Sequence, residues 1–238
     1  MAKDPADSKE KKLLKILCLH GYRQNGTVFR EKTGAFRKAL KKHAVFDFVD
    51  APHVPVVPAQ SNGESSSGAK DDKYTPRAWW FSKAQKTFSS WDETEIAEGF
   101  EFSVRDVLQY IKENGPYDGI MGFSQGACMT HLLATMNKKS TAGAENTEKL
   151  FKFVIIVAGF KSLSLVHNDQ NTVFISNLPS LHIYGTGDEI VPNWKSQKLS
   201  EMYTAPGAKI VVHEGGHCVP PISKIKSDVI SFLESVAI

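Results

Sequence analysis

Short apolar runs that alternate with segments of helical spacing constrain the fold of this chain more than any other feature. Each run is bounded by turn residues and has few charges, which is typical of strands buried on both faces of a sheet. We predict strands at residues 13–19, 45–49, 117–122, 151–157, 181–184 and 210–213. Apolar residues at helical spacing predict helices at residues 27–42, with Thr27 as the cap, 93–113, 125–136, 193–203 and 222–236. This alternation favours an α/β fold with a mostly parallel, doubly wound sheet.

Residues 51–91 interrupt the alternation. The segment opens with Pro52, Pro55 and Pro58, continues through a serine-rich polar stretch at 61–68, and ends in a cluster of aromatic residues. A segment of this length without clear periodicity is unusual inside a compact domain and suggests a lid-like insertion. We therefore expect a flexible N-terminal arm at residues 1–12 and a single domain at 13–238 that carries this excursion.

Charge and cysteine content exclude several classes of partner. The net charge is +3 and the basic residues are dispersed, so we expect no nucleic-acid partner. No apolar run approaches the ~18 residues of a membrane-spanning helix, so stable membrane insertion is not expected. The three cysteines have no metal-type spacing, and no metal or other cofactor is predicted. The charged first residues do not resemble a signal peptide, so we expect a cytoplasmic protein, with the nucleus as a second location, and leave its oligomeric state open.

A serine between two glycines is the strongest candidate for chemistry. Gly122-Phe123-Ser124-Gln125-Gly126 follows a predicted strand and opens a predicted helix. The bare pattern occurs by chance in roughly one chain in ten of this size. Its position matches a nucleophile elbow, in which a strained turn exposes the serine hydroxyl and glycines avoid collisions with the neighbouring strand and helix. Ser124 is therefore the predicted nucleophile.

A base and an acid follow the serine in the chain. His217 lies on a glycine-bearing loop after the last predicted strand, so it is favoured over the strand residues His182 and His213. Asp188 follows the strand at 181–184 and is favoured over Glu189 because it comes first after the glycine. Ligand sites in open α/β sheets lie at the carboxyl ends of strands, where all three residues are predicted. The order serine, aspartate, histidine is typical of α/β-hydrolases.

An acyl-transfer site also needs donors for the oxyanion. The backbone N–H of Gln125 is the first candidate, and a second donor should come from an early loop at the same end of the sheet. The loop at residues 20–26 follows the first strand, and Tyr22 is the preferred donor there, with Arg23 as the next choice.

Several longer stretches make the chain similar to the FSH family of serine hydrolases. They span most of the chain from Leu14 to Phe232 and read LKILCLHGYRQNGTVFREKTGAFRKAL, RAWWFS, GPYDGIMGFSQGA, VAGF, LPSLHIYGTGDEIVP and GGHCVP. The resemblance implies an α/β-hydrolase fold with Ser124, Asp188 and His217 as the charge-relay residues. It implies hydrolysis of small-molecule carboxylic esters.

The aromatic cluster bears on substrate choice. Trp79 and Trp80, with Phe88 and Trp91 further along, either anchor the excursion to the domain or line an acyl pocket. As pocket residues, Trp79 and Trp80 would favour esters with a medium or long alkyl or acyl chain. Arg77 remains a possible anion anchor, which leaves an acyl-thioesterase open, and a catalytically idle hydrolase-fold interaction protein is the alternative from a different class.

Overall fold

A six-stranded sheet organises the described part of this computed structural model, residues 12–56, 73–141, 150–205 and 208–237. The strands are β1 (Leu14–Leu19), β2 (Ala44–Val49), β3 (Gly119–Phe123), β4 (Phe153–Val157), β5 (Ile175–Ser176), β6 (Ser180–Gly185), β7 (Tyr203–Ala205) and β8 (Ala208–His213). The main sheet has the order β2-β1-β3-β4-β6-β8, and every neighbouring pair is parallel. The predicted parallel sheet is thus confirmed, because its six strands are the six predicted runs.

Helices cover both faces of this sheet. They are α1 (Gly26–Lys32), α2 (Gly34–Leu40), α3 (Phe100–Asn114), α4 (Gln125–Thr141), α5 (Asn168–Asn171), α6 (Asn193–Ser200) and α7 (Ile222–Val236), with a 3-10 turn at Leu165–His167. One cluster of buried side chains joins the sheet to α3, α4 and α6, and a second joins it to α1, α2 and α7. None of the described helices combines the length and apolar character that a membrane crossing requires.

The predicted helix at 193–203 ends at Ser200, because Tyr203 begins β7, and the one at 125–136 extends to Thr141. Two further predicted helices differ more from the observed ones. The predicted helix at 27–42 is broken into α1 and α2 at Thr33, and its cap is Asn25 rather than Thr27, since the Asn25 side chain accepts from the Val28 N–H at 2.8 Å. The predicted helix at 93–113 begins only after Gly99. That glycine has a φ of +87° and lies so close to His53 that a Cβ would be 2.4 Å from its Nε2.

The excursion has little regular structure where it is described. Its segments 51–56 and 73–91 are held by isolated bridges, including His53 with Ala78 and Gln24 with Arg77. The serine-rich stretch at 61–68 and residues 1–11 of the predicted arm lie outside the described residues. The aromatic end of the excursion therefore packs onto the domain through residues 77–91.

His20 links the end of β1 to the beginning of the excursion. The fully buried imidazole accepts from the Ala51 N–H through Nε2 at 2.9 Å, so its other nitrogen, Nδ1, donates to the Gly21 carbonyl at 2.8 Å. Burial lowers the pKa of His20 from 6.5 to about 4. The fold therefore requires the neutral ring, because a proton on Nε2 would remove the bond to Ala51.

We expect stability to fall as the pH falls from about 7 to 5, partly through His20. In the unfolded chain the His20 imidazole is protonated below its ordinary pKa of 6.5, whereas in the folded protein it stays neutral until the pH approaches about 4. Because proton binding is linked to unfolding, a pKa shift of this size lowers the free energy of unfolding by about 2 kcal/mol at pH 5. Urea unfolding of wild type and His20→Gln at both pH values measures it. Equal pH dependence in the two proteins would contradict the assignment.

Candidate active site

Ser124 occupies a tight turn between β3 and α4. Its φ is +54°, a left-handed conformation that non-glycine residues rarely adopt, and it is mostly buried. A Cβ on Gly126 would lie 2.2 Å from the Leu19 carbonyl oxygen, and one on Gly122 would lie 2.2 Å from the Gly126 carbonyl oxygen. Both glycines are therefore required by close backbone approach, which is the elbow geometry that the pattern predicted.

The three side chains that the sequence singled out lie in one hydrogen-bonded chain. His217 Nε2 is 2.9 Å from Ser124 Oγ, and His217 Nδ1 is 2.7 Å from Asp188 Oδ2. An ionised carboxylate only accepts, so Nδ1 carries the proton and Nε2 is free to accept from the serine hydroxyl. This arrangement has the distances that proton transfer from a nucleophile to a general base requires.

Asp188 is held independently of the histidine. Its Oδ1 accepts from the N–H groups of Ile190 and Val191 at 3.0 and 2.8 Å, and its side chain is fully buried. The neighbouring Glu189 is exposed and makes none of these contacts. Two backbone donors fix the Asp188 carboxylate on one side, so its other oxygen is directed at the imidazole.

Two loops at the carboxyl ends of β6 and β8 bring the acid and the histidine together. The Thr186 N–H donates to the His213 carbonyl at 2.8 Å, and the Gly187 N–H donates to the Gly215 carbonyl at 3.2 Å. His213 is the last residue of β8 and is buried where the second loop begins; its Nδ1 accepts from the Gly215 N–H at 3.1 Å, and burial lowers its pKa. His213 thus shapes the loop, and His217 beyond the glycine pair reaches Ser124.

The loop after β1 passes directly beside the serine. A Cβ on Gly21 would lie 3.3 Å from the Ser124 Cβ. Within the described residues, the backbone N–H groups of Tyr22 and Gln125 have no acceptor, whereas the Arg23 N–H donates to the Arg77 carbonyl at 2.9 Å. Of the two candidate donors from this loop, Tyr22 therefore remains available and Arg23 does not.

The side chain of Gln125 has a role that the sequence did not indicate. Its Oε1 accepts from the Trp79 N–H at 3.0 Å, and its Nε2 donates to the Trp80 carbonyl at 2.8 Å. The amide is completely buried, and the Trp79 indole donates to the His20 carbonyl at 2.8 Å. These bonds join the excursion to the residue that follows Ser124 and to the loop that carries Tyr22.

The expected contact of Trp79 and Trp80 with substrate needs correction. Both rings are almost completely buried in the core, and Trp80 packs edge-on against Phe88 and Phe100. The described walls of the cavity beside Ser124 include neither tryptophan. The alternative role applies: both rings anchor the excursion, because their backbone is bonded to Gln125.

A cavity of about 340 Å³ opens beside Ser124 and His217. Three aromatic residues and two aliphatic ones form much of its wall, with polar groups between them: Tyr22, Phe88, Trp91, Ile190, Val191, Arg23, Ser89 and Ser90. Arg77, the anion anchor left open by the sequence, is not on this wall and pairs through its backbone with Gln24. The apolar surface next to the serine suits a hydrocarbon chain.

The chain is similar in sequence to a family of hydrolases and to named esterases over most of its length, and similar in fold to a solved thioesterase. The family model described as Serine hydrolase (FSH1) matches residues 9–229. Esterase C25G4.2 of Caenorhabditis elegans is 42% identical over 221 residues, 92% of this chain and 92% of its own. Esterase OVCA2 of Danio rerio is 38% identical over 226 residues, 93% of this chain and 96% of its own. The crystal structure of Zea mays acyl-protein thioesterase 2 shares the α/β-hydrolase fold at a TM-score of 0.57 and 19% identity, covering 98% of this chain and 97% of that one.

We predict that Gly126→Ala destabilises the protein while Gly34→Ala does not. The new methyl group at 126 would meet two backbone carbonyl oxygens, of Leu19 and His20, at 2.2 and 2.5 Å, whereas nothing lies within 4 Å at position 34. Overpacking against rigid backbone costs about 1–3 kcal/mol, and removing a glycine at an open site is neutral or slightly stabilising. Urea unfolding of both variants measures the difference, and equal stabilities would contradict the required close approach.

Proposed function

We propose that this chain, which belongs to the FSH1 family of serine hydrolases and is a carboxylic ester hydrolase, cleaves esters with a medium or long alkyl or acyl chain. The proposed mechanism forms an acyl-enzyme through a Ser-His-Asp triad. The hydrogen-bonded chain of Ser124, His217 and Asp188 is the observation that carries this proposal. Its support is geometric: each group lies where the mechanism needs a nucleophile, a base or an orienting acid.

In the first half of the reaction, Ser124 Oγ attacks the ester carbonyl while His217 Nε2 takes the hydroxyl proton. Asp188 keeps the imidazole in the required tautomer and stabilises the imidazolium that forms. The imidazolium then gives its proton to the departing alcohol, which leaves the acyl group on Ser124. In the second half, His217 deprotonates a water that attacks the acyl-enzyme, and the acid is released as Ser124 recovers its proton.

The oxyanion of each tetrahedral intermediate is proposed to accept from the N–H groups of Gln125 and Tyr22. Gln125 is the first residue of α4, so its N–H also lies at the positive end of that helix. Neither N–H group has another acceptor in the part of the chain that the structure describes, which supports this assignment, as does the approach of Gly21 to Ser124. The buried side chain of Gln125 positions both donors through its bonds to the excursion.

The preference for longer chains rests on the cavity beside Ser124. Phe88, Trp91, Ile190 and Val191 offer apolar surface there, and Phe88 packs against Tyr22 at a ring-centroid distance of 5.5 Å. A chain that reaches these side chains leaves water, and each buried methylene contributes about 0.8 kcal/mol. An acetyl group gains little from the same surface.

Thioester hydrolysis is the second candidate within this mechanism, since the same nucleophile and donors serve both substrates. A catalytically idle scaffold is disfavoured, because it would not need a hydroxyl, an imidazole and a carboxylate at the distances that proton transfer requires.

We propose the cytoplasm as the location, with the nucleus as a second one. The three free thiols, Cys18, Cys128 and Cys218, are consistent with a reducing compartment.

We expect Ser124→Ala and His217→Ala each to lower kcat for a p-nitrophenyl ester by several orders of magnitude. Asp188→Asn should also lower it strongly by favouring the wrong imidazole tautomer. Glu189→Gln and His213→Ala are the matched controls and should be mild, because the exposed Glu189 lies outside the hydrogen-bonded chain and His213 acts on the loop. Labelling with a fluorophosphonate checks the nucleophile, and comparable losses in the two histidine variants would show that the base is misassigned.

We expect Phe88→Ala to reduce kcat/KM for octanoate esters more than for acetate esters. The lost ring leaves part of the longer chain without apolar contact, at about 0.8 kcal/mol for each affected methylene. The control is Phe102→Ala, because Phe102 is exposed on α3 and is not on the cavity wall. Parallel chain-length profiles for wild type and Phe88→Ala would contradict the proposed acyl pocket.

A further inference from the structure

A second, larger cavity adjoins the one beside Ser124. It has a volume of about 530 Å³ and lies between the segment at 161–171 and α6. Trp91 lines both cavities and is 51% exposed, so one side chain forms the boundary between them. A substrate bound at Ser124 can therefore meet the second cavity at the edge of this ring.

The second cavity is basic. Its described wall includes Lys161, Lys195 and Lys198, with Glu93 as the single carboxylate there. Among the described residues, none of the three ammonium groups has a carboxylate within 4.0 Å. An excess of unpaired positive charge in a concave site attracts anions.

The buried member of this set is Lys195. Its Nζ donates to the Ser90 carbonyl at 2.6 Å and lies 3.5 Å from the centroid of the Trp91 ring. The residue is only 6% exposed, and burial lowers its pKa, so the charged form lacks part of its solvation. An anion in the cavity would stabilise the Lys195 ammonium electrostatically and so replace part of the hydration that burial removes.

The same cavity also presents apolar surface. Trp91 and Trp194 meet edge to face at a centroid distance of 6.0 Å, and both rings are substantially exposed. Leu163 and Leu165 line the cavity and are exposed as well. This combination suits a molecule with an apolar stem and a negatively charged end.

From these features we propose that the second cavity is a subsite for an anionic end group, a carboxylate or phosphate, carried on the apolar stem of an ester whose carbonyl reacts at Ser124. The inference rests on the proposed function for the position of the ester bond. Lys198 is exposed, Lys161 is half-buried with its Nζ 3.8 Å from Met202 Sδ, and both line the cavity and supply contacts to the anion. Lys195 adds positive charge at the wall that it shares with Trp91.

The kinetic test compares matched esters that differ only in the end group. For the acyl side the pair is p-nitrophenyl octanoate and mono-p-nitrophenyl suberate; for the alcohol side it is hexyl acetate and 6-acetoxyhexanoate. For each pair the measured quantity is the ratio of kcat/KM for the anionic ester to kcat/KM for the neutral ester. The double variant Lys161→Met/Lys198→Met should lower this ratio by about fivefold or more in at least one of the two pairs. Lys38→Met/Lys226→Met removes the same charge from exposed positions on α2 and α7 and should leave both ratios unchanged.

A binding measurement separates this inference from the proposed hydrolysis. Mono-p-nitrophenyl suberate and 6-acetoxyhexanoate are titrated by calorimetry into Ser124→Ala, with and without Lys161→Met/Lys198→Met. At least one probe should bind more weakly, by about fivefold, when the two lysines are absent. If wild-type protein hydrolyses no ester while this binding difference persists, the proposed function fails and the anion subsite stands. If neither the ester ratios nor the affinities respond to the lysines, the subsite is overturned.

Discussion

The close approach of α4 to the end of β1 is the contact on which the candidate site depends. Gly126 lies against the carbonyl oxygens of Leu19 and His20 with no room for a side chain. This contact lets β3 turn sharply into α4 and forces Ser124 into a left-handed conformation. It also sets the loop with Gly21 and Tyr22 beside the serine, so the same approach that shapes the turn at the proposed nucleophile brings the proposed second oxyanion donor next to it.

Gln125 extends this contact to the excursion. Hydrogen bonds between its side-chain amide and the backbone of Trp79 and Trp80 hold the excursion against the candidate site. Trp80 then supports Phe88, which forms part of the wall beside Ser124. The sequence suggested a lid-like insertion. In its described part, Trp79 and Trp80 are buried in the core and anchor the segment, whereas Trp91 at its end is 51% exposed.

The proposed substrate surface is assembled from segments that are distant in the chain. Trp91 comes from the excursion, Val191 from the loop after β6, and Lys161 and Lys198 from regions on either side of that strand. The proposed anion subsite and the apolar cavity meet at Trp91, which gives the proposed substrate two chemically different ends. Lys195 and Lys198 are neighbours on α6, but Lys161 precedes β6 in the chain, so no single run of basic residues marks this surface.

The sequence by itself determined the parallel sheet and the residues proposed for chemistry. Alternating apolar runs specify strands directly, and the carboxyl ends of parallel strands meet at one edge, so Ser124, Asp188 and His217 could be chosen by position. The family resemblance is confirmed by the match over residues 9–229. Only the tertiary structure decided that Trp79 and Trp80 face the core, that Gln125 bonds to them, and that three lysines surround one cavity. The physical reason is that the direction of a ring and the spatial neighbours of a lysine depend on packing between residues distant in the chain. The periodicity of a strand, in contrast, can be read from consecutive residues.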